Sequence, residues 1–178
     1  ACANYTFTFW LPTIIKNLGV TDVSHIGSLS AIPYVFAALG VLFVSASSDR
    51  LKERRWHVGG SLILGAIGLA TTPFLNNSLV ATLAVLSFVG FFQFGAGIAY
   101  WAIPSTYLNK ATAAVGIGLV SSIGVVGGFV SPALLGFIKD LTGSLDNGIF
   151  TISLLMLAGG LAILLALPAR AVRVGSHR

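Results

Sequence analysis

Charge is what this sequence has least of. Of its 178 residues, only 8% are Asp, Glu, Lys or Arg, against about 25% in an average soluble domain. A soluble fold needs a polar skin. A chain that is 56% apolar, with a mean hydropathy of +0.93, cannot supply one. The shortage excludes a soluble globular domain and a disordered chain. It also excludes a nucleic-acid binder: the net charge is +5, but ten basic residues scattered among long apolar runs make no basic face. The single cysteine, Cys2, excludes a disulfide framework and a multi-cysteine metal site. No Ser-His-Asp, His-x-x-Glu-His or P-loop pattern occurs, so neither an enzyme nor a cofactor has residues to rest on.

What the chain has instead is long apolar runs. Windows of about 20 residues find six uncharged stretches: 1–15, 24–47, 57–75, 79–103, 113–138 and 148–167. The runs do not alternate apolar and polar residues, which argues against a barrel. The expected fold is an all-α membrane protein with six transmembrane helices. Loops are expected at Asn17-Leu18-Gly19, Asn76-Asn77-Ser78, Leu108-Asn109-Lys110 and Asp146-Asn147-Gly148.

Lys and Arg concentrate on the cytoplasmic side of membrane proteins. One side here carries Arg50, Lys52, Arg54, Arg55, Lys110, Arg170, Arg173 and Arg178; the other carries only Lys16 and Lys139. The C-terminus is therefore expected in the cytoplasm. The first run is too short for a bilayer core of about 30 Å at 1.5 Å per residue. With no initiator Met and no basic leader, it does not read as a signal peptide. The expectation is a chain that starts inside a helix and forms the C-terminal part of something longer.

Polar residues inside a span cost free energy unless they meet partners or water. The first span offers Asn4 and Thr8 on one face, with Tyr5 beside them. The second offers Ser30 and Tyr34 next to Pro33. The fourth offers Gln93, Gly97, Tyr100 and Pro104 as one stripe, flanked by Trp101. The fifth offers Ser121 and Ser122. These residues either line a polar cavity or bond between and within helices; serine often bonds back to its own helix. Gly124 and Gly128 form a GxxxG pair in the fifth span, a mark of close helix packing. Asp49 closes the second span, where a carboxylate opposes the helix dipole unless something positive faces it.

Asp49-Arg50 followed by the basic pair Arg54-Arg55 resembles the signature loop of the major facilitator superfamily, with Ser45 where a glycine is usual. The wider text is similar to the anion:cation symporter branch: Phe9-Trp10-Leu11-Pro12 through Lys16, Ser30-Ala31-Ile32-Pro33-Tyr34, Glu53-Arg54-Arg55-Trp56-His57, and Gly127-Gly128-Phe129-Val130-Ser131-Pro132 with Gly136 through Asp140. That branch includes bacterial permeases for tartrate, phthalate, hydroxyphenylacetate and sugar acids. The resemblance implies that the six spans are helices seven to twelve of a twelve-helix transporter in the inner membrane. It also implies that the N-terminal six-helix half is absent from the sequence.

The implied function is uptake of a small organic anion together with protons, by alternating access. This half would supply a neutral wall of Asn4, Tyr5, Tyr34, Gln93, Trp101 and Ser121. Asp49, Arg50, Arg54 and Arg55 would form a gating loop. An uncoupled facilitator of the same fold and a six-helix membrane scaffold are the alternatives. Asparagines common in this branch are replaced here by Ser121 and Val125, so no particular substrate carries over.

Overall fold

The computed structural model describes residues 1–104, 108 and 112–167. Among them, six long α-helices follow one another: α1 Cys2–Asn17, α2 Val23–Leu51, α3 Arg54–Thr71, α4 Leu79–Trp101, α5 Ala113–Thr142 and α6 Leu145–Ala166. A 3-10 turn, Thr72–Leu75, extends α3. All but α1 are long and apolar enough to cross a membrane. The expected loop at 108–110 and the basic tail fall largely outside the described residues.

Cap chemistry sets the helix ends. Asp22 accepts from the His25 N–H at 3.0 Å, Ser78 from Ala81 at 3.3 Å and Ser144 from Asp146 at 3.2 Å. Each such cap is worth about 1 kcal/mol. The last connection lies earlier than expected. Gly143, at φ +70°, ends α5 in the left-handed conformation that glycine adopts without strain. Ser144 then starts α6, so Asp146, Asn147 and Gly148 sit in its first turn rather than in a loop. A carboxylate is favourable there, against the positive end of the helix dipole.

The helices pack in the cyclic order α2, α4, α3, α6, α5, α1, with α1 closing on α2 and α6. A membrane bundle gains little from apolar burial against lipid, so backbone approach matters more. At the α2–α4 crossing, a methyl on Gly40 would lie 1.9 Å from the Phe91 carbonyl oxygen. At α3–α6, Gly59 and Gly160 face each other, each added carbon 3.0 Å from the other's carbonyl oxygen. One apolar core gathers Phe7, Leu11, Ile15, Leu86, Leu135 and Ile152. A second gathers Val44, Val58, Ala96, Ala99 and Ile103 at the other end of the bundle. Burial is uneven: the apolar window of α4 is 50% buried, those of α2 and α5 only 22% and 6%. The two longest helices thus leave most of their surface open on the flanks of α1.

Candidate functional site

A polar contact between mid-helix side chains joins α4 to α1. Gln93 is 4% exposed, and its Nε2 donates to Asn4 Oδ1 at 2.9 Å. Both residues lie about 20 Å along their helices from the α1 end at Asn17 and the α4 start at Leu79, at 1.5 Å per residue. They therefore meet at one depth. Gly97, one turn on from Gln93, keeps the same side open: a side-chain carbon there would lie 3.8 Å from Asn4 Nδ2. The hydrogen bond uses one group from each amide. Gln93 Oε1 remains buried with no donor, which costs about 1–3 kcal/mol. The pair thus satisfies the helix–helix reading of Gln93 and still holds an unused acceptor.

Tyr34 approaches from α2 within a triangle of rings. Phe7, Tyr34 and Phe94 stand edge-on to one another, each pair of ring centres 6.0 Å apart. Edge-to-face contact at this spacing fixes ring direction as well as burying area. Phe7 and Phe94 carry no sign of being partners of Tyr34 at the level of sequence, because apolar rings in an apolar helix have no local mark. Tyr5 points to the other side of α1, toward α5, and is 42% exposed.

The remaining wall candidates stand apart from this pair. Trp101 lies at the end of α4, its ring centre 5.6 Å from that of Tyr100. Ser121 is half-buried on α5, and Ser122 bonds back to the Gly118 carbonyl at 2.9 Å. Among the described residues, no hydrogen bond or ring contact joins Trp101 or Ser121 to Asn4 and Gln93.

The α2–α3 turn is stitched into its own bundle. Lys52, at φ +51°, ends α2 in the left-handed conformation. Arg54 and Arg55 then open α3 beside the carbonyl ends of two neighbouring helices. Arg54 Nη1 donates to the Ala102 carbonyl of α4 at 2.5 Å, and Arg55 Nη2 donates to the Leu164 carbonyl of α6. Cations at helix C-termini oppose the negative dipole ends. His57 bridges Ser47 Oγ, at 2.9 Å, and the Glu53 carbonyl. Arg54 also sits 3.6 Å from Asp49 Oδ1, its side chain 14% exposed against 68% for the aspartate. A positive group therefore does face Asp49, and it comes from the same turn. Arg50 is exposed.

These features define a multi-pass helical membrane protein with a polar pair inside its bundle. The family model of the Major Facilitator Superfamily matches residues 1–132, and the chain belongs to that family. It is 40% identical over 155 residues to a quinolone resistance transporter of Acinetobacter baumannii, covering 87% of this chain and 36% of that protein. It is 36% identical over 168 residues to a provisionally named metabolite transport protein of Pseudomonas putida, NicT, covering 94% and 38%. It is 36% identical over 163 residues to a transporter of Agrobacterium vitis named provisionally for tartrate, covering 91% and 36%. The chain thus spans well under half the length of these relatives. No solved structure matches it. The family is one of transporters rather than enzymes.

Proposed function

We propose that this chain is the C-terminal six-helix half of a twelve-helix secondary transporter of the inner membrane that takes up a small organic anion with protons. Two bundles would rock about a midplane site, with the C-terminus and the Arg54–Arg55 turn in the cytoplasm. The observation that carries the reading is the buried Asn4–Gln93 pair with its unused Gln93 acceptor. Polar side chains inside a membrane bundle are costly and face a partner or a water-filled cavity, which supports reading the free Gln93 carbonyl as a group kept for substrate. The relative named for tartrate supports an anionic substrate. Asn4, Tyr5, Tyr34, Gln93, Trp101 and Ser121 form the neutral wall in this reading. The helices Val23–Leu51 and Ala113–Thr142, open along most of their length, are the surfaces for the other half and for lipid. Arg54 and Arg55 hold the gate's frame, and the exposed edge of Asp49 is the part that meets the opposite bundle.

The relative named for quinolone resistance supports a second reading, export of an aromatic drug. One experiment separates the two. Right-side-out vesicles carrying the full-length protein are incubated with external radiolabelled tartrate, phthalate, 4-hydroxyphenylacetate or glucuronate, each with and without an inward proton gradient. Gradient-driven accumulation of one of them supports the proposal. Uptake that only equilibrates and is indifferent to the gradient shows a facilitator. Absence of uptake of all four, with raised quinolone tolerance in cells, supports export.

A further inference from the structure

We propose that Gly128 is a positioning residue for Tyr5: its missing side chain is the seat that holds the Tyr5 ring in the substrate wall. The inference rests on the reading of Tyr5 as part of that wall. A carbon added at Gly128 would lie 2.3 Å from Tyr5 Cδ2, 2.5 Å from Cε2 and 2.9 Å from Cγ. Three ring atoms inside contact distance mean that the ring lies directly on the α5 backbone, where only glycine leaves room.

The seam around the ring is pinned at both ends. Ser131 Oγ donates to the Cys2 carbonyl at 2.9 Å, and Trp10 Nε1 donates to the Pro132 carbonyl at 3.3 Å. The Lys139 ammonium stands 5.4 Å from the Trp10 ring centre, a second tie at the Trp10 end. These contacts fix α1 against α5 one turn before Tyr5 and again beyond it. A methyl at position 128 is therefore not relieved by sliding the helices. The ring itself must turn about χ1, and its 42% exposure leaves it space to do so.

Gly118, Gly124 and Gly136 of α5 differ, whereas carbons at Gly116 and Gly127 would press on the ends of side chains, 2.6 Å from Leu108 Cδ1 and 3.1 Å from Cys2 Sγ. Carbons at Gly124 and Gly136 would make ordinary contacts, 3.6 Å from Ala1 Cβ and 3.5 Å from Trp10 Cζ2. A carbon at Gly118 would meet nothing within 4 Å. The GxxxG pattern therefore hides a division of labour: Gly124 tolerates a methyl and Gly128 does not.

The test uses the full-length transporter and whichever of tartrate, phthalate, 4-hydroxyphenylacetate and glucuronate gives the highest wild-type uptake. KM and membrane level are measured for Gly118→Ala, Gly128→Ala, Tyr5→Ala and the Gly128→Ala/Tyr5→Ala double variant. The proposal expects Gly118→Ala to match wild type. Gly128→Ala should raise KM about tenfold, the effect of a contact worth 1.4 kcal/mol, at a normal membrane level. The double variant should be no worse than Tyr5→Ala alone, since without the ring the methyl displaces nothing. If Gly128→Ala instead lowers the membrane level, Tyr5→Ala should restore it. A Gly128→Ala effect that persists undiminished without the Tyr5 ring, or an unchanged KM in Gly128→Ala, overturns the proposal while leaving Tyr5's role standing. An unchanged KM in Tyr5→Ala, or no uptake of any of the four, overturns the wall reading and the proposal with it.

Discussion

Gln93 on α4 and Asn4 on α1 share a 2.9 Å hydrogen bond across 89 sequence positions. Its energetics differ from those of a surface contact. Removing one partner of a buried pair strands the other and costs about 1–3 kcal/mol. Asn4→Ala leaves the Gln93 amide unpaired as well as its carbonyl. It should lower the thermal stability of the purified full-length protein by about that amount, read as a lower melting temperature in detergent. An unchanged melting temperature would show that the pair contributes nothing to helix association.

A topological prediction follows from the basic residues. A cysteine at Asn77, in the α3–α4 connection, should react with an impermeant thiol reagent from outside intact cells. One at Lys52 should react only after permeabilisation. The reverse pattern would invert the bundle and remove the cytoplasmic gate from the account.

The Asp49 carboxylate is 68% exposed beside a largely buried Arg54. In the account its free edge meets the opposite bundle when the cytoplasmic side closes. A charge at such a helix-end contact is worth about 0.3–2 kcal/mol. Asp49→Asn keeps the size and should favour the inward-open state about two- to thirtyfold, that energy expressed as a population ratio. Cysteine accessibility in the cytoplasmic half of the cavity should rise and uptake should fall. Unchanged accessibility with normal uptake would make Asp49 a solvated charge only.

The α2–α4 crossing should be the least tolerant of added volume. A methyl at Gly40 meets the Phe91 backbone at 1.9 Å, whereas one at Gly60 meets nothing within 4 Å. Gly40→Ala should destabilise the full-length protein by about 1–3 kcal/mol through overpacking, and Gly60→Ala should not. Equal melting temperatures for the two variants would contradict the crossing.

Much of the fold was legible in the sequence because a membrane span writes itself as a long apolar window. The helix ends were less so. Averaging over a window blurs a polar first turn, which is why Asp146 looked like loop although Ser144 caps the helix before it. The stripe of Gln93, Gly97 and Tyr100 was legible as a stripe but not as a set of partners. Gln93 and Gly97 face Asn4. Tyr100, about 10 Å further along the axis, packs instead on the core around Val44 and Val58. The Asn4–Gln93 bond, the ring triangle around Tyr34 and the seat of Tyr5 on Gly128 all join helices distant in sequence. Periodicity within one helix carries no sign of them. The same holds for Arg54 and Arg55: a basic pair in a loop reads as solvated, and only the packing brings the carbonyls of Ala102 and Leu164 within reach.

If Gln93 is kept for the substrate rather than for the fold, Gln93→Leu should separate the two roles. Leucine has a similar volume and removes the stranded Gln93 acceptor, but it also leaves the Asn4 carbonyl without its donor, so the fold should lose no more than it does in Asn4→Ala. Removing one partner of a buried hydrogen bond costs about 1–3 kcal/mol, and the loss of the unpaired Gln93 carbonyl offsets part of that here. Melting temperature and uptake of the transported anion are measured on the same full-length preparation. The expected result is a melting temperature no lower than that of Asn4→Ala, with uptake efficiency reduced at least about tenfold, equivalent to 1.4 kcal/mol, and well below that of Asn4→Ala. Normal uptake, or a fall in melting temperature large enough to explain the lost uptake, would contradict it.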